Sequence, residues 1–137
     1  MTPITASFVV PIPPRHYTVL VVGQDPIDAD QISKALKAAG VRVLRASTGM
    51  QGYWTAISKA PDAIVTELGL ANGGGADMLE CLKDTAQTQD IPVIVLTAQN
   101  YPGMRQHLER LGASAVVDKT KHRAPHLLAI VERLLAA

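Results

Sequence analysis

The sequence predicts an α/β fold, a three-layer sandwich in which five parallel strands form one sheet with helices on both faces. Short apolar runs rich in Val, Ile and Leu alternate with longer segments whose apolar residues recur every three or four positions. Gly or Pro lies at most of the boundaries between them. Strands that alternate with helices in this way are typical of right-handed crossovers in a parallel sheet.

Composition limits the kinds of function that need to be considered. The chain has 137 residues, of which 47% are hydrophobic and 18% charged, and its net charge is +1. This length and composition predict one globular domain, and the low net charge argues against a large basic surface for nucleic acid. The single cysteine, Cys81, cannot form an internal disulfide. No apolar run has the length of a membrane span or the flanks of a signal peptide, so we expect a cytoplasmic protein without a membrane partner.

The first 16 residues differ in composition from the rest of the chain. They contain Pro3, Pro11, Pro13 and Pro14, which favour extended conformations over helix. We expect residues 1–16 to form a disordered Pro-rich arm, with a tether or partner peptide as the alternative, and residues 17–137 to form the domain.

Five apolar runs are expected to be strands, and each is short enough to be buried on both faces of a sheet. They are Thr18 to Val22, Val41 to Leu44, Ala63 to Thr66, Ile91 to Leu96 and Ala115 to Val117.

Five helices are expected between and after these strands. The first opens at Asp25-Pro26 and ends at Gly40, the second is capped by Thr48 and ends before Pro61, the third follows Gly75, the fourth runs from Pro102 to Gly112, and the last covers about His122 to Leu135. In the second helix, Met50, Tyr53, Trp54 and Ile57 have the spacing of an apolar stripe. Trp54 is either a packed residue at the edge of the core or an exposed anchor for a partner.

The third strand runs directly into Glu67 and then into a glycine-rich loop that ends at Gly75. A carboxylate at the carboxyl edge of a parallel sheet is a common position for a functional site. The loop lacks the lysine and hydroxyl residue of a phosphate-binding P-loop, so it is expected to be a flexible connection.

Several of these segments together resemble one protein family. They are Val19-Leu20-Val21-Val22 before the first helix, Pro61-Asp62-Ala63-Ile64-Val65-Thr66 before the central carboxylate, Gly75, Thr97-Ala98, and Gly112-Ala113-Ser114 followed by Lys119. In order and spacing they are similar to the response-regulator receiver domain of bacterial two-component signalling, from Thr18 to the C-terminus. The resemblance implies the CheY-like, flavodoxin-like fold, with strand order 2-1-3-4-5 and five helices.

The chain departs from the family at the residues that carry the chemistry. In the family, two carboxylates after the first strand hold Mg²⁺, and an Asp at the end of the third strand accepts a phosphoryl group from a histidine kinase. Here the acidic pair is replaced by Gly23 and Gln24, and the acceptor position is Glu67. Asp25 would enter the metal site only after a shift of one residue.

The remaining positions of the family site are mixed. Lys119 matches the family lysine and Thr97 matches the hydroxyl residue of the family switch. Val116 replaces the aromatic residue that works with this hydroxyl, and Thr120 replaces the Pro after the lysine.

These replacements change the expected charge of the site. Three carboxylates and one lysine carry a net charge of −2 in the family, whereas Glu67 and Lys119 alone are neutral. Mg²⁺ binding is therefore expected to be lost, and with it phosphorylation, since phosphoryl transfer needs a cation that neutralises the developing charge. Glu67 is either a built-in mimic of the phosphorylated state or an inert relic.

The resulting hypothesis is a non-enzymatic, phosphorylation-independent receiver-like module without a cofactor. It would act by binding a partner protein, or a second copy of itself, through the face formed by helix 4, strand 5 and helix 5, from Met104 to Leu135. One alternative is a degenerate receiver that a histidine kinase still phosphorylates with Mg²⁺, at Glu67 or at Asp25. The other is a small-ligand sensor that uses the pocket vacated by the metal.

Overall fold

The computed structural model describes residues 16–70, 74–98, 102–119 and 124–136, and within them five strands alternate with five helices. The strands are β1 (Thr18–Val22), β2 (Arg42–Ala46), β3 (Ala63–Glu67), β4 (Val93–Thr97) and β5 (Ala115–Asp118). The helices are α1 (Pro26–Ala38), α2 (Gly49–Lys59), α3 (Gly75–Asp84), α4 (Met104–Arg110) and α5 (Ala124–Ala136).

All five strands are parallel and lie in the order β2-β1-β3-β4-β5, which confirms the predicted α/β fold and strand order. The register pairs Val22 of β1 with Thr66 of β3, and Glu67 of β3 with Leu96 of β4. The carboxyl ends of β1, β3 and β4 therefore lie side by side, which is where an open parallel sheet forms its crevice.

The sheet separates two hydrophobic cores because successive strand residues point to opposite faces. Leu20 and Val22 of β1 belong to the core beneath α2, α3 and α4, whereas Val19 and Val21 belong to the core beneath α1 and α5. This arrangement gives the three layers that the sequence predicts.

Most elements lie where the sequence predicts them, with differences of one to two residues at several ends. The second strand is displaced, because β2 covers Arg42–Ala46 rather than Val41 to Leu44. The cap of α2 is confirmed, since the Thr48 side chain accepts a hydrogen bond of 3.1 Å from the Gln51 N–H. The buried face of α3 is also confirmed, with Met78, Leu79 and Leu82 in the core.

The predicted apolar stripe of α2 is confirmed in part. Tyr53 packs against the core and Ile57 is half-buried, whereas Met50 and Trp54 are 62% and 60% exposed. The residues that α2 buries fully are Gly49, Gly52 and Ala56. Small residues face the sheet because α2 lies close to it: a β-carbon on Gly52 would lie 2.7 Å from Met78 Sδ and 3.0 Å from Val22 Cγ2. Of the two positions expected for Trp54, the structure shows the exposed one.

Some predictions concern residues outside the described ranges, among them the arm at residues 1–15, Gly73, Thr120 and His122. A search of the described helices for a segment long and apolar enough to cross a membrane finds none.

Gly75 is the glycine that the chain path at the site requires. Its N–H donates to the Leu68 carbonyl oxygen at 2.8 Å, so the first turn of α3 lies directly against the end of β3. A β-carbon at this position would overlap the Glu67 carbonyl oxygen and lie 3.0 Å from Leu68 Cα. These contacts are with backbone atoms, which cannot rotate away as a side chain can.

Gly75→Ala is therefore expected to lower the free energy of unfolding by about 1–3 kcal/mol, as overpacking does. Gly69→Ala is the matched control in the same loop, because a β-carbon there would meet no atom within 4 Å. It should change stability by no more than about 0.5 kcal/mol. Equal stability of both variants in urea unfolding would contradict the role assigned to Gly75.

Candidate functional site

The candidate site lies at the carboxyl edge of the sheet, where Glu67 ends β3 beside the end of β1. Its side chain is 13% exposed, so the carboxylate is largely withdrawn from water. One oxygen, Oε2, accepts a hydrogen bond of 3.1 Å from the Gln24 N–H. The other, Oε1, lies 3.3 Å from the Lys119 ammonium nitrogen. Each carboxylate oxygen thus has a hydrogen-bond donor, the backbone N–H of Gln24 for Oε2 and the ammonium of Lys119 for Oε1.

Gly23 provides the space in which the Glu67 side chain lies. A β-carbon on Gly23 would lie 3.1 Å from both Cδ and Oε2 of Glu67 and 3.4 Å from its Cγ. These distances are tighter than most real contacts of a β-carbon, so even a small side chain at residue 23 would press on the carboxylate. The absence of a side chain at Gly23 and the extra methylene of Glu67 are therefore complementary in shape.

Lys119 binds a second carboxylate that the sequence reasoning did not include. Its ammonium nitrogen lies 3.1 Å from Asp28 Oδ2, in the first turn of α1, as well as 3.3 Å from Glu67 Oε1. The expectation of a neutral pair is thus wrong: two carboxylates and one ammonium give a net charge of −1. The sequence does contain a signal for Asp28: it is an acidic residue in the first turn of the helix that follows β1, which places it at the same edge of the sheet as Glu67.

The environment of Lys119 acts on its pKa in two directions. Burial lowers the pKa, but the hydrogen bond to Asp28 and the charge of Glu67 together outweigh burial and raise the pKa above its ordinary value of 10.5. The ammonium therefore stays charged throughout the neutral range and acts there as a fixed cation in the site.

The other predicted site residues are divided between the site and the core. Thr97 is buried at the end of β4, and its carbonyl oxygen accepts a hydrogen bond of 3.0 Å from the Lys119 N–H. Val116 packs in the core beneath α2, α3 and α4. Asp25 is exposed, and its carbonyl oxygen accepts from the Ala29 N–H at 3.0 Å as α1 begins.

An open cleft of about 190 Å³ adjoins these groups. It is lined by Glu67, Leu68, Gly69, Leu96, Thr97, Ala98 and Lys119. Among the described residues, no group of three or more His, Cys, Asp or Glu side chains has the arrangement of a metal site. The structure therefore brings together Glu67, Thr97, Lys119 and the backbone of Gln24, and it adds Asp28.

Lys119→Met should alter the dependence of stability on pH. Because the pKa of Lys119 is raised on folding, its ion pairs stabilise the fold fully below the unfolded-state pKa and are lost as pH rises through the folded-state pKa. The difference in unfolding free energy between the wild type and Lys119→Met is expected to be constant from neutral pH to about pH 9 and to shrink above about pH 10.5. Lys34→Met removes an exposed charge from α1 and is the control. The difference in unfolding free energy between the wild type and Lys34→Met should change less over the same pH range. A wild-type advantage over Lys119→Met that persists undiminished at the highest pH would contradict the assignment.

One protein-family model matches most of the chain. The family model described as the response regulator receiver domain matches residues 19–132, which is most of the chain.

Curated relatives match over part of their own lengths. Over 80 residues the chain is 35% identical to the DNA-binding dual master transcriptional regulator RpaA of Synechocystis, covering 58% of this chain and 33% of that protein. It is 35% identical over 82 residues to the KDP operon transcriptional regulatory protein KdpE of Escherichia coli, covering 60% of this chain and 35% of that protein. The chain thus spans about a third of the length of these relatives.

Solved structures share the fold at lower identity. The chemotaxis response regulator CheY4 of Vibrio cholerae superposes with a TM-score of 0.81 at 22% identity, covering 88% of this chain and 99% of that one. The receiver domain of a sensor histidine kinase from Pseudomonas aeruginosa, which has a magnesium ion coordinated in its active-site cleft, gives a TM-score of 0.81 at 23% identity. It covers 90% of this chain and 100% of that chain. With the family model matching residues 19–132 and the strand order and site geometry described above, this chain belongs to the response regulator receiver domain family of two-component signal transduction.

Proposed function

We propose that this chain is a receiver that acts by protein contact without phosphorylation. The observation that carries the proposal is the position of the Glu67 carboxylate, which is held between Lys119 and the Gln24 N–H in the space left by Gly23. In this arrangement the acceptor carboxylate already has its partners, and the neighbouring carboxylate, Asp28, is bound to the same ammonium. The module has no enzymatic activity of its own, and we place it in the cytoplasm.

Charge supports the loss of Mg²⁺. Mg²⁺ requires oxygen ligands in near-octahedral arrangement, and Gly23 and Gln24 supply no anionic side-chain oxygen. Lys119 already lies between the two nearby carboxylates, Asp28 and Glu67. A metal ion would have to displace the Lys119 ammonium from these carboxylates, and the two positive charges would then repel each other. We infer that Lys119 is the cation of this site, where the Pseudomonas domain has a magnesium ion coordinated in its active-site cleft.

The proposed output surface is the face formed by α4, β5 and α5, from Met104 to Leu135. The strand β5 lies at the edge of the sheet and pairs on one side with β4. It has only four residues, and a short edge strand beside exposed helical residues can be contacted by a partner without extending the sheet. Arg105 and Arg110 on α4 are exposed and offer a positive charge to such a partner. That partner is another signalling protein or a second copy of this chain.

Val116 favours a constant output over a switched one. It lies in the core, and it cannot alternate between an inward and an outward position as a large aromatic side chain at a strand edge can. Glu67 therefore acts either as a fixed mimic of the phosphorylated state or as a relic without effect on binding. These two roles predict different behaviour when the carboxylate is removed.

The cleft supports a second, narrower candidate function, the sensing of a small polar ligand. Its volume of about 190 Å³ is below the range of about 300–1,000 Å³ that is typical of sites for drug-sized molecules. A ligand would therefore be smaller than a drug-sized molecule and would lie beside Lys119 and Thr97.

Incubation with acetyl phosphate and Mg²⁺ is expected to leave the intact mass of the wild-type protein unchanged. The reason is that the metal needed to neutralise charge on the transferring phosphoryl group has no anionic side chain at positions 23 and 24, and that Lys119 occupies Asp28 and Glu67. Intact-mass spectrometry measures the result directly. A gain of one phosphoryl group would support the degenerate phosphoacceptor and overturn the proposal.

The matched variant for this experiment is Gly23→Asp combined with Gln24→Asp and Glu67→Asp. All three changes are needed, because a side chain at residue 23 crowds Glu67 while Glu67 keeps its length. The variant should bind Mg²⁺ with micromolar-to-millimolar affinity and gain one phosphoryl group, which shows that the assay detects a working site. Gly23→Asp alone should do neither.

Capture of a partner from an extract of the native cell tests the output surface. Arg105→Glu with Arg110→Glu should abolish capture, because it reverses the charge of α4. The control, Lys34→Glu with Lys37→Glu, makes the same change of charge on α1 and should preserve capture. Loss of capture by the α1 variant alone would place the interface elsewhere.

Glu67→Ala separates the two roles of the carboxylate in the same assay. Capture equal to the wild type would identify the carboxylate as a relic, whereas loss of capture by a folded variant would identify it as a mimic of the phosphorylated state.

A further inference from the structure

A second cavity, an apolar groove, lies between α2 and α3, away from the site at Glu67. It has a volume of about 280 Å³ and is lined mainly by Met50, Tyr53, Trp54, Asp77, Met78 and Cys81. In the part of the chain that the structure describes, Met50 and Trp54 are the large hydrophobic side chains that remain exposed, at 62% and 60%. An exposed cluster of this kind is typical of a surface that another chain segment covers.

The aromatic wall of the groove is fixed in position. The Tyr53 and Trp54 rings meet edge to face, with their centroids 5.3 Å apart and an angle of 68° between their planes. The Tyr53 hydroxyl is also hydrogen-bonded to the Thr85 hydroxyl at 2.8 Å, which ties α2 to the end of α3. A preformed wall loses little side-chain freedom when it binds, so even a short apolar segment can be retained.

The chain itself contains a segment of suitable chemistry. Residues 1–15 include four prolines, the only phenylalanine of the chain (Phe8), and the aliphatic residues Ile4, Val9, Val10 and Ile12. They include no Asp or Glu, so they would not be repelled by Asp77 at the groove. Proline-rich segments bind aromatic-lined grooves because their restricted backbones have little entropy to lose.

The distance that this segment must cover is short. The Thr18 N–H donates a hydrogen bond to the Asp62 carboxylate, and the Thr18 carbonyl oxygen accepts one from the Asp62 N–H. The strand β1 therefore begins beside the loop that follows α2. Trp54 lies five residues before Lys59, the last residue of α2, or about 7.5 Å along the helix axis. The eight residues from His16 back to Phe8 can span up to about 26 Å. The groove is therefore within reach of the same chain.

We propose that the segment that precedes β1 docks the side chains of Phe8 and Ile12 into the groove between α2 and α3 of its own chain and covers Trp54 and Cys81. A short tether gives the segment an effective concentration of about 1 mM at the groove. An intrinsic dissociation constant of about 0.3 mM is then sufficient for roughly three quarters occupancy.

The single cysteine and the single tryptophan of the chain both line the groove, so the chain carries its own two probes. The first measurement is the rate at which iodoacetamide alkylates Cys81. The second is the quenching of Trp54 fluorescence by acrylamide. The test variant is Phe8→Asp with Ile12→Asp, and the control is Thr2→Asp with Thr5→Asp, which adds the same charge to the segment and keeps its apolar residues.

Phe8→Asp with Ile12→Asp is expected to accelerate alkylation and to increase acrylamide quenching, because Cys81 and Trp54 are uncovered. With a dissociation constant of about 0.3 mM, alkylation should be about fourfold faster. The control should match the wild type, and all rates should be independent of protein concentration. Equal rates for the wild type and the Phe8→Asp, Ile12→Asp variant would overturn the proposal. Protection that grows with protein concentration would also overturn it, because the occupant would then be a second copy of the chain.

Discussion

The arrangement of the site depends on one contact, the fit of the Glu67 carboxylate against the backbone of Gly23 and Gln24. The extra methylene of Glu67 carries its carboxylate across the end of β3 to the end of β1, where Gly23 leaves space and Gln24 presents an N–H. Lys119 then approaches from the end of β5 and joins this carboxylate to Asp28 on α1. Four elements of the fold thus converge on a single buried charge.

Such a cluster contributes more to arrangement than to net stability. Moving an ammonium and two carboxylates partly out of water costs free energy that their attraction only offsets, and Lys119 and Asp28 keep about a third of their side-chain surface exposed. What the cluster provides is a fixed geometry, because each carboxylate oxygen of Glu67 has its own donor. A receiver that depends on phosphorylation must be able to change this geometry, whereas this site has its counter-charge built into the chain.

The sequence predicts the fold well because the fold follows from strong, repeated patterns. Most strands are short runs rich in apolar residues, and boundaries such as Thr48 and Gly75 have local chemical causes that the structure confirms. Side-chain contacts between distant parts of the chain are harder to predict from such patterns. Asp28 is recognisable as an acidic residue in the first turn of its helix, but its contact with Lys119, 91 residues away, depends on how the elements pack. The exposure of Met50 and Trp54 has a related cause, since the close approach of α2 to the sheet favours Gly49, Gly52 and Ala56 on its inner face.

Gly23 has a consequence for substitutions at this site. A β-carbon at position 23 would lie 3.1 Å from Cδ and Oε2 of Glu67, and a shorter side chain at position 67 would draw its carboxylate away from the Gln24 N–H. The effect of a substitution at either position therefore depends on the residue at the other. The two positions are epistatic, so neither residue has a contribution to the site that can be assigned independently of its partner.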